Sequence, residues 1–224
     1  MNTCALVPSC NEAETIGRLV TAIKAQQLDI IVIDDGSTDQ TAVIAQQAGA
    51  NVLRHQTNQG KGAALKTGFA HALACGYQAI ITMDGDGQHS TQDLPKFVEM
   101  AKNENVDIVL GNRMDAAKNM PLIRWLTNIF MSFLISLICA RKIRDSQCGF
   151  RLIKARVLKK LELTCSNYEI ESEMLIAATR SGFRIRSVPI QTIYAQQTSQ
   201  INPIVDTFRF FKYILKSFLS HGKD

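Results

Sequence analysis

Two aspartates one residue apart follow a short apolar run and are set between glycines. Asp84 and Asp86 come after Ala79-Ile80-Ile81, and Gln88 and His89 come next. The apolar run predicts a buried strand, and the glycines predict where that strand ends. Residues i and i+2 of an extended segment point to the same side, so both carboxylates are expected to face one point. Such oxygen ligands suit Mg²⁺ or Mn²⁺, which keeps water molecules and takes substrate phosphates as its other ligands.

A turn is the competing interpretation of this segment, because Asp-Gly pairs are common at hairpins. A hairpin would need an antiparallel partner strand directly after Gln88. The chain continues instead to Pro95 and a predicted helix. The metal interpretation is therefore favoured, and His89 is expected to make a structural hydrogen bond.

The segments before and after these aspartates alternate between strand-like and helix-like patterns. The predicted strands cover 3–7, 29–33, 51–54, 79–81 and 107–110, and the predicted helices cover 13–25, 40–48, 63–74 and 94–103. This alternation predicts an α/β fold with a mostly parallel sheet. Because ligands bind beyond the carboxyl ends of the strands in such sheets, loops 8–12, 34–39 and 84–89 are expected to converge on one crevice.

The bulk composition is that of an ordinary globular chain. Of the 224 residues, 46% are hydrophobic and 20% are charged, which fits one domain with a full core. A formal net charge of +5 does not indicate a nucleic-acid partner, but it would suit anionic lipids or phosphorylated ligands. Six scattered cysteines and a start without a basic leader region predict a cytoplasmic protein with reduced thiols.

Two segments carry unusually many large apolar residues. Residues 121–140 predict a helix whose weakly polar part is about 15 residues long, short of the ~20 needed to span a bilayer. This helix is expected to be buried or to lie at a membrane surface. The tail at 204–219 predicts a basic, aromatic amphipathic helix that docks on a membrane, on another subunit of a homo-oligomer, or on its own core. The predicted division is a main domain at 1–195 and a helical tail at 196–224.

Several common binding motifs are absent. Gly60-Lys61-Gly62 lacks the first glycine and the final Ser or Thr of a P-loop, so Lys61 is either a phosphate contact or a solvated lysine. No dinucleotide fingerprint follows the first strand, and no G-x-S-x-G is present. The pair Asp34-Asp35 could cap a helix or bind a nucleoside. Binding is the preferred interpretation, because Asp84 and Asp86 are expected at a neighbouring strand end.

Five motifs, in their order and spacing, together resemble the family 2 glycosyltransferases of the GT-A type. They are Pro8-Ser9-Cys10-Asn11-Glu12, Asp34-Asp35-Gly36-Ser37-Thr38-Asp39, Asn58-Gln59-Gly60-Lys61-Gly62, Asp84-Gly85-Asp86-Gly87-Gln88-His89 and Gly111-Asn112-Arg113. Within that family the chain is similar to dolichyl- or polyprenyl-phosphate sugar synthases over about residues 3–195. The resemblance implies a Rossmann-like three-layer fold with amphipathic helices near the acceptor side and at the C-terminus.

The resemblance also implies an activity. It would be a metal-dependent, inverting transfer from a UDP- or GDP-linked sugar to a polyprenyl phosphate at the inner face of the cell membrane, as in cell-envelope glycan synthesis. The nucleotide-binding set is Pro8, Asn11, Glu12, Asp35, Lys61 and Asp84. The set for Mg²⁺ or Mn²⁺ is Asp84, Asp86 and Gln88, with Asp86 and Gln88 as the direct ligands. The catalytic set is Asp86, Arg113 and Asp145. The acceptor set is Arg124, Arg151 and Glu171, with Glu169 and Glu173 in the same acidic helix start.

Elementary chemistry agrees with this interpretation and leaves other acceptors and other functions open. The departing diphosphate develops negative charge, which a divalent ion and Arg113 would stabilise. A lipid phosphate is already ionised and needs little help from a base, whereas a glycan or glycolipid hydroxyl would need Asp145 or Glu171 to take its proton. The remaining alternatives are a nucleotidyltransferase and a non-catalytic nucleotide-sugar binder. The former usually has a glycine-rich turn after the first strand, which residues 7–11 do not supply.

Overall fold

The computed structural model describes residues 1–115, 120–193, 209–210 and 213–214. Within these residues, seven strands form one sheet in the order β3-β2-β1-β4-β6-β5-β7. The strands are β1 (Thr3–Ser9), β2 (Asp29–Asp34), β3 (Asn51–Arg54), β4 (Ala79–Thr82), β5 (Ile108–Asn112), β6 (Arg151–Lys154) and β7 (Ile185–Pro189). The α-helices are α1 (Ile16–Lys24), α2 (Thr41–Gln47), α3 (Lys61–Ala74), α4 (Leu94–Lys102), α5 (Leu122–Ile138), α6 (Ala155–Leu158) and α7 (Ile170–Arg180).

The sheet is parallel except for β6, which runs against both of its neighbours. The predicted α/β class and mostly parallel sheet are therefore confirmed, but β6 itself was not predicted. Arg151, its first residue, lies opposite Thr82 of β4 and Leu110 of β5. Because β6 is antiparallel, its amino end lies at the edge where the other strands have their carboxyl ends. The loop before β6 is thereby delivered to the predicted crevice.

Alternate strand residues supply two hydrophobic cores, one on each face of the sheet. Leu6 and Ile33 belong to the core that includes residues of α3, α5 and α7. Val7 and Val32, their chain neighbours, belong to the core that includes residues of α1 and α4. Strands buried on both faces explain why β2 is a continuous apolar run. Helices on both faces also make the three-layer arrangement that was expected.

Helix α5 has one buried face and one exposed apolar face. Met131, Ser132 and Ile135 face inward and are buried. The large apolar side chains left exposed on this helix are Leu122, Ile123, Leu126, Ile129, Phe130, Phe133 and Leu137. Among the described residues, no helix combines the length and the apolar character needed to cross a bilayer.

The predicted tail at 196–224 lies almost entirely outside the described residues, as does the boundary at 195. Residues 209–210 and 213–214 are described, and they are helical. Phe210 and Ile214 are buried in the same core as Met174 of α7. These two side chains therefore pack on the chain's own core.

Phe97 of α4 offers a test of the packing on the α1 and α4 face. It is buried and stacks on Phe150, with 4.1 Å between the ring centroids. We expect Phe97→Ala to lower the free energy of unfolding by about 3–5 kcal/mol, because the truncation leaves a cavity. Urea denaturation measures this change. The exposed Val43 is the control, and Val43→Ala should stay within about 0.5 kcal/mol of wild type. Equal losses in the two variants would contradict the packing described here.

Candidate functional site

Three polar loops meet at the carboxyl edge of the sheet, as predicted. The Asn11 backbone N–H donates to Ser37 Oγ at 2.9 Å, and the Thr38 N–H donates to Asn11 Oδ1 at 2.9 Å. The Thr15 hydroxyl donates to the Gly85 carbonyl at 2.8 Å, which ties the loop after β4 to the same group. These bonds hold the walls of one crevice in register.

Asp35 is buried beneath this crevice, and protein groups already engage its carboxylate. The backbone N–H groups of Gln59 and Gly60 donate to it at 3.0 and 2.8 Å, and His55 Nδ1 lies 2.7 Å from Oδ1. His55 was not singled out in the sequence, because only the fold brings it to Asp35. In this arrangement Asp35 fixes the loop that precedes Lys61.

The remaining residues of the predicted nucleotide set line the same edge. Pro8 is buried in β1, Asn11 is exposed and Glu12 is half-buried. Their contact with a nucleotide stays a prediction.

The segment after β4 is a turn and not the extended chain that was expected. Gly85 and Asp86 form the turn, and the Gln88 N–H donates to Asp86 Oδ1 at 3.0 Å. The extended geometry assumed for Asp84 and Asp86 was wrong, because the glycines let the chain bend soon after Thr82. The turn does not connect a hairpin, since β4 pairs with β1 and β6.

Carboxylates crowd this turn and perturb one another. Partial burial, and then the charge of Asp84, raise the pKa of the Asp86 carboxyl above its usual value. Partial burial, and then the charge of Asp86 with that of Asp84, likewise raise the pKa of Glu12. Carboxylates that raise each other's pKa form a site that favours a cation.

The donor set at the turn fits a hard cation only in part. Asp84, Asp86 and Gln88 offer oxygen atoms, which suit Mg²⁺ or Mn²⁺. The described residues contain no group of three or more His, Cys, Asp or Glu side chains placed to hold a metal. A cation at the turn would therefore take further ligands from phosphate oxygens and water, as the sequence predicts.

Lys61 is the cation that the chain itself supplies to this cluster. Its Nζ lies 2.5 Å from Asp84 Oδ1 and 2.7 Å from Glu171 Oε1. Burial opposes the charge on Lys61, but the two carboxylates outweigh it and raise the pKa of Lys61 above its ordinary value. Burial likewise opposes the charge on Asp84, yet Lys61 and the hydrogen bond with His89 hold the pKa of Asp84 well below its usual range. The solvated-lysine alternative is therefore wrong, since the Lys61 side chain is only 15% exposed.

His89 and Gly149 hold Asp84 from its other sides. His89 is buried, and its Nε2 lies 3.3 Å from Asp84 Oδ2, which confirms the expected structural hydrogen bond. A Cβ atom on Gly149 would lie 2.7 Å from both carboxylate oxygens of Asp84. Any side chain at position 149 would therefore push the carboxylate away.

Arg113 and Asp145 form a buried, two-pronged ion pair on the far side of the crevice. Arg113 Nε and Nη2 each donate to a different Asp145 oxygen at 2.8 Å, and the Arg113 N–H adds a bond of 3.1 Å. Burial would raise the pKa of Asp145, but the pairing with Arg113 lowers it below its usual value. This geometry shows a pair that shapes the loop before β6. The catalytic roles predicted for both residues stay predictions.

The predicted acceptor residues fall into different environments. Arg151 is buried and donates to the carbonyls of Cys148, Ser146 and Glu171 at 2.7, 2.8 and 2.7 Å, so its guanidinium holds the same loop. Glu171 is buried at the start of α7, between Lys61 and Arg151. Arg124 lies in the first turn of α5, and its side chain is outside the described atoms.

Comparison with known proteins finds relatives over most of the chain. The sequence model described as glycosyl transferase family 2 matches residues 4–162. An uncharacterized protein of Methanocaldococcus jannaschii is 36% identical over 219 residues, which cover 94% of this chain and 90% of that protein. The UDP-N-acetylglucosamine–dolichyl-phosphate N-acetylglucosaminyltransferase of Methanococcus voltae is 33% identical, over 85% of each chain.

A solved structure shares the fold at lower sequence identity. It is the glucosyl-3-phosphoglycerate synthase from Mycobacterium tuberculosis, in complex with Mn²⁺, uridine diphosphate and phosphoglyceric acid. The two chains superpose with a TM-score of 0.76 at 18% identity, over 98% of this chain and 78% of that one.

The Arg113–Asp145 pair predicts a pH-dependent loss of stability. We expect Asp145→Asn to lower the free energy of unfolding by about 3–5 kcal/mol near neutral pH, because Arg113 is left buried without its counter-ion. A carboxyl with a lowered pKa stabilises the fold above its unfolded value of about 3.9, and that stability is lost as the pH falls through the folded value. The difference between wild type and variant should therefore shrink below about pH 4.

Chemical denaturation at several pH values measures this difference. The exposed Arg144–Asp115 pair is the matched control, and Asp115→Asn should cost less than about 1 kcal/mol. A small, pH-independent loss in Asp145→Asn would contradict the role given to the buried pair.

Proposed function

The chain belongs to glycosyl transferase family 2, and we propose that it moves a sugar from a nucleotide sugar to the phosphate of a polyprenyl lipid at a membrane surface. One observation carries the proposal. Lys61 lies 2.5 Å from Asp84 of the acidic turn and 2.7 Å from Glu171, which belongs to the predicted acceptor set. Donor and acceptor sites that share one network of charges suit a direct transfer between two bound substrates.

On the donor side, the nucleoside would lie along Pro8, Asn11, Glu12 and the loop held by Asp35. Its diphosphate would reach the acidic turn, where Asp84, Asp86 and Gln88 would hold Mg²⁺ or Mn²⁺. When bound, the divalent ion supplies positive charge against the charge that develops on the departing diphosphate. The relative from Methanococcus voltae is named for a UDP-linked donor, and the structure from Mycobacterium tuberculosis was solved with Mn²⁺ and uridine diphosphate. Both support this assignment.

In the transfer, an acceptor oxygen attacks the anomeric carbon as the bond from that carbon to the diphosphate breaks. A direct displacement of this kind inverts the configuration at the carbon. Asp86 would contribute by binding the donor's counter-ion. Arg113 and Asp145 would contribute by fixing the loop on which the acceptor lies.

The pairing of Asp145 and Glu171 with basic side chains favours a phosphate acceptor over a hydroxyl acceptor. A hydroxyl would need a base, and the candidates were Asp145 and Glu171. Asp145 is paired with Arg113, which lowers its pKa, and Glu171 is paired with Lys61. A lipid phosphate is already ionised, so it needs neither of them. A glycan or glycolipid hydroxyl is the second candidate acceptor, and a rate that depends on an essential base near neutral pH would favour it.

The exposed face of α5 is the surface proposed to meet the membrane. It presents leucine, isoleucine and phenylalanine side chains to solvent, whereas its inward face carries the hydrogen-bonded Ser132 and Ser136. Arg141, Lys142 and Arg144 are exposed just beyond its C-terminal end and would suit anionic head groups at the inner leaflet. The dolichyl-phosphate acceptor in the relative's name supports the same placement.

The first test of the proposal is the reaction itself. Purified protein is incubated with a panel of UDP- and GDP-sugars, Mn²⁺ and polyprenyl phosphate, and lipid-linked sugar is measured. We expect product from one donor and a loss of at least about 100-fold in Asp86→Asn, because the variant lacks a predicted ligand of the divalent ion that neutralises the departing diphosphate. Glu99→Gln, which removes an exposed carboxylate on α4 that pairs with Lys102, should stay within about twofold. Absence of product with every donor would sink the proposal.

The second test is membrane binding. The double variant Phe130→Ser/Phe133→Ser should reduce co-sedimentation with anionic vesicles by about 10-fold or more, since burying a phenylalanine contributes on the order of 1.5–3 kcal/mol. Val43→Ser, which removes an exposed apolar side chain from α2, is the control and should bind as wild type does. Unchanged binding of the double variant would exclude this face as the contact.

A further inference from the structure

The Lys61 ammonium neutralises one carboxylate of the acidic turn, that of Asp84. Its ammonium lies between Asp84 and Glu171, at 2.5 and 2.7 Å. Among the described residues, the salt bridges at this turn involve Asp84 and Glu171 but neither Asp86 nor Glu12. The acidic turn is thus half compensated by a charge that belongs to the chain itself.

The backbone that carries Lys61 is held on both sides. A Cβ on Gly60 would lie 2.4 Å from the Ser166 carbonyl oxygen, and one on Gly62 would lie 2.7 Å from the Ser166 carbonyl carbon. The Gly60 N–H donates to Asp35, and the Ala63 N–H donates to Ser166. The backbone around Lys61 is therefore closely packed and hydrogen-bonded, so we expect its flexible four-carbon side chain to make any change of position.

We propose that the Lys61 ammonium is a resident counter-cation that competes with a divalent metal for Asp84. This inference rests on the proposed use of a metal at the acidic turn. Two cations cannot both lie against Asp84 without repelling each other. Metal binding therefore requires Lys61 to leave Asp84, and the metal binds weakly while Lys61 remains there.

The geometry also provides a place for the displaced ammonium. Glu171 Oε1 is already in contact with Nζ, and the Tyr168 ring centroid lies 5.5 Å from it. A diphosphate arriving with the metal adds a further anion for Lys61 to meet. Metal and diphosphate are therefore expected to bind cooperatively, and Lys61 supplies the coupling. By linkage, each ligand must strengthen the other equally.

The test measures Mn²⁺ binding by electron paramagnetic resonance, without any sugar or lipid. Wild type, Lys61→Met and Lys61→Gln are titrated with Mn²⁺ alone and with Mn²⁺ plus inorganic pyrophosphate as a base-free probe. Both variants should bind Mn²⁺ alone at least about 10-fold more tightly than wild type, because the competing charge is gone. Pyrophosphate should strengthen Mn²⁺ binding in wild type and do so several-fold less in the variants.

Lys66→Met is the matched control, since Lys66 lies on the same helix and donates to the Thr164 carbonyl away from the acidic turn. It should bind Mn²⁺ as wild type does. Circular dichroism shows whether each variant folds. If Lys61→Met does not fold, the test relies on Lys61→Gln. Equal or weaker Mn²⁺ binding in a folded Lys61 variant would overturn the inference. Because no transfer is measured, this outcome is separate from a failure to find a sugar donor.

Discussion

Negative charge concentrated at one edge of the sheet is the constraint on which the site depends. Glu12, the pair Asp84 and Asp86, and Glu171 come from three different loops or helix starts, and the fold brings them to neighbouring positions. Carboxylates at such distances raise one another's pKa unless a cation lies among them. Lys61 compensates two of them directly, and the other two are left for a cation that arrives from solution. The chemistry proposed here follows from that unequal compensation.

Two buried arginines hold the opposite wall of the crevice in place. Arg113 is held by Asp145, and Arg151 is held by three carbonyls of the chain. A buried ion pair is weak evidence for stability as such, but breaking it is costly, so it fixes one loop geometry. Gly149 lies in that loop against Asp84. The loop before β6 and the acidic turn are thus packed together.

Helix α5 is apolar on its outer face as well as on its inner face. Met131 and Ile135 pack in the core beside serines that hydrogen-bond to the chain, while other large apolar side chains face outward. Water does not favour this arrangement, whereas the interface of a bilayer does. A lipid acceptor would place its chain in the same membrane that this face contacts. This surface would then place the enzyme and its lipid substrate at the same membrane interface.

Much of the fold could be predicted from local patterns. A continuous apolar run indicates β2, and period-3.6 spacing indicates α1, without knowledge of any distant contact, because such patterns are properties of neighbouring residues. The acidic residues at Asp84 and Asp86 could also be predicted, because their types and their position after a strand are contained in one short segment. Strand β6 was missed because its two apolar residues lie between Arg151 and Lys154 and lead directly into α6, and its stability comes from pairing with β4 and β5.

The sequence by itself thus determined the element order as far as α5, the edge of the sheet at which the polar loops meet and the acidic residues gathered there. Only the tertiary structure decided what each charge meets. Lys61 and Glu171 lie 110 residues apart in the chain, and nothing local relates them. The same holds for Arg113 and Asp145, which lie 32 residues apart and form a pair only in the fold. The physical reason is that a charge takes its role from its surroundings, and in a folded chain those surroundings are supplied by residues far away in sequence.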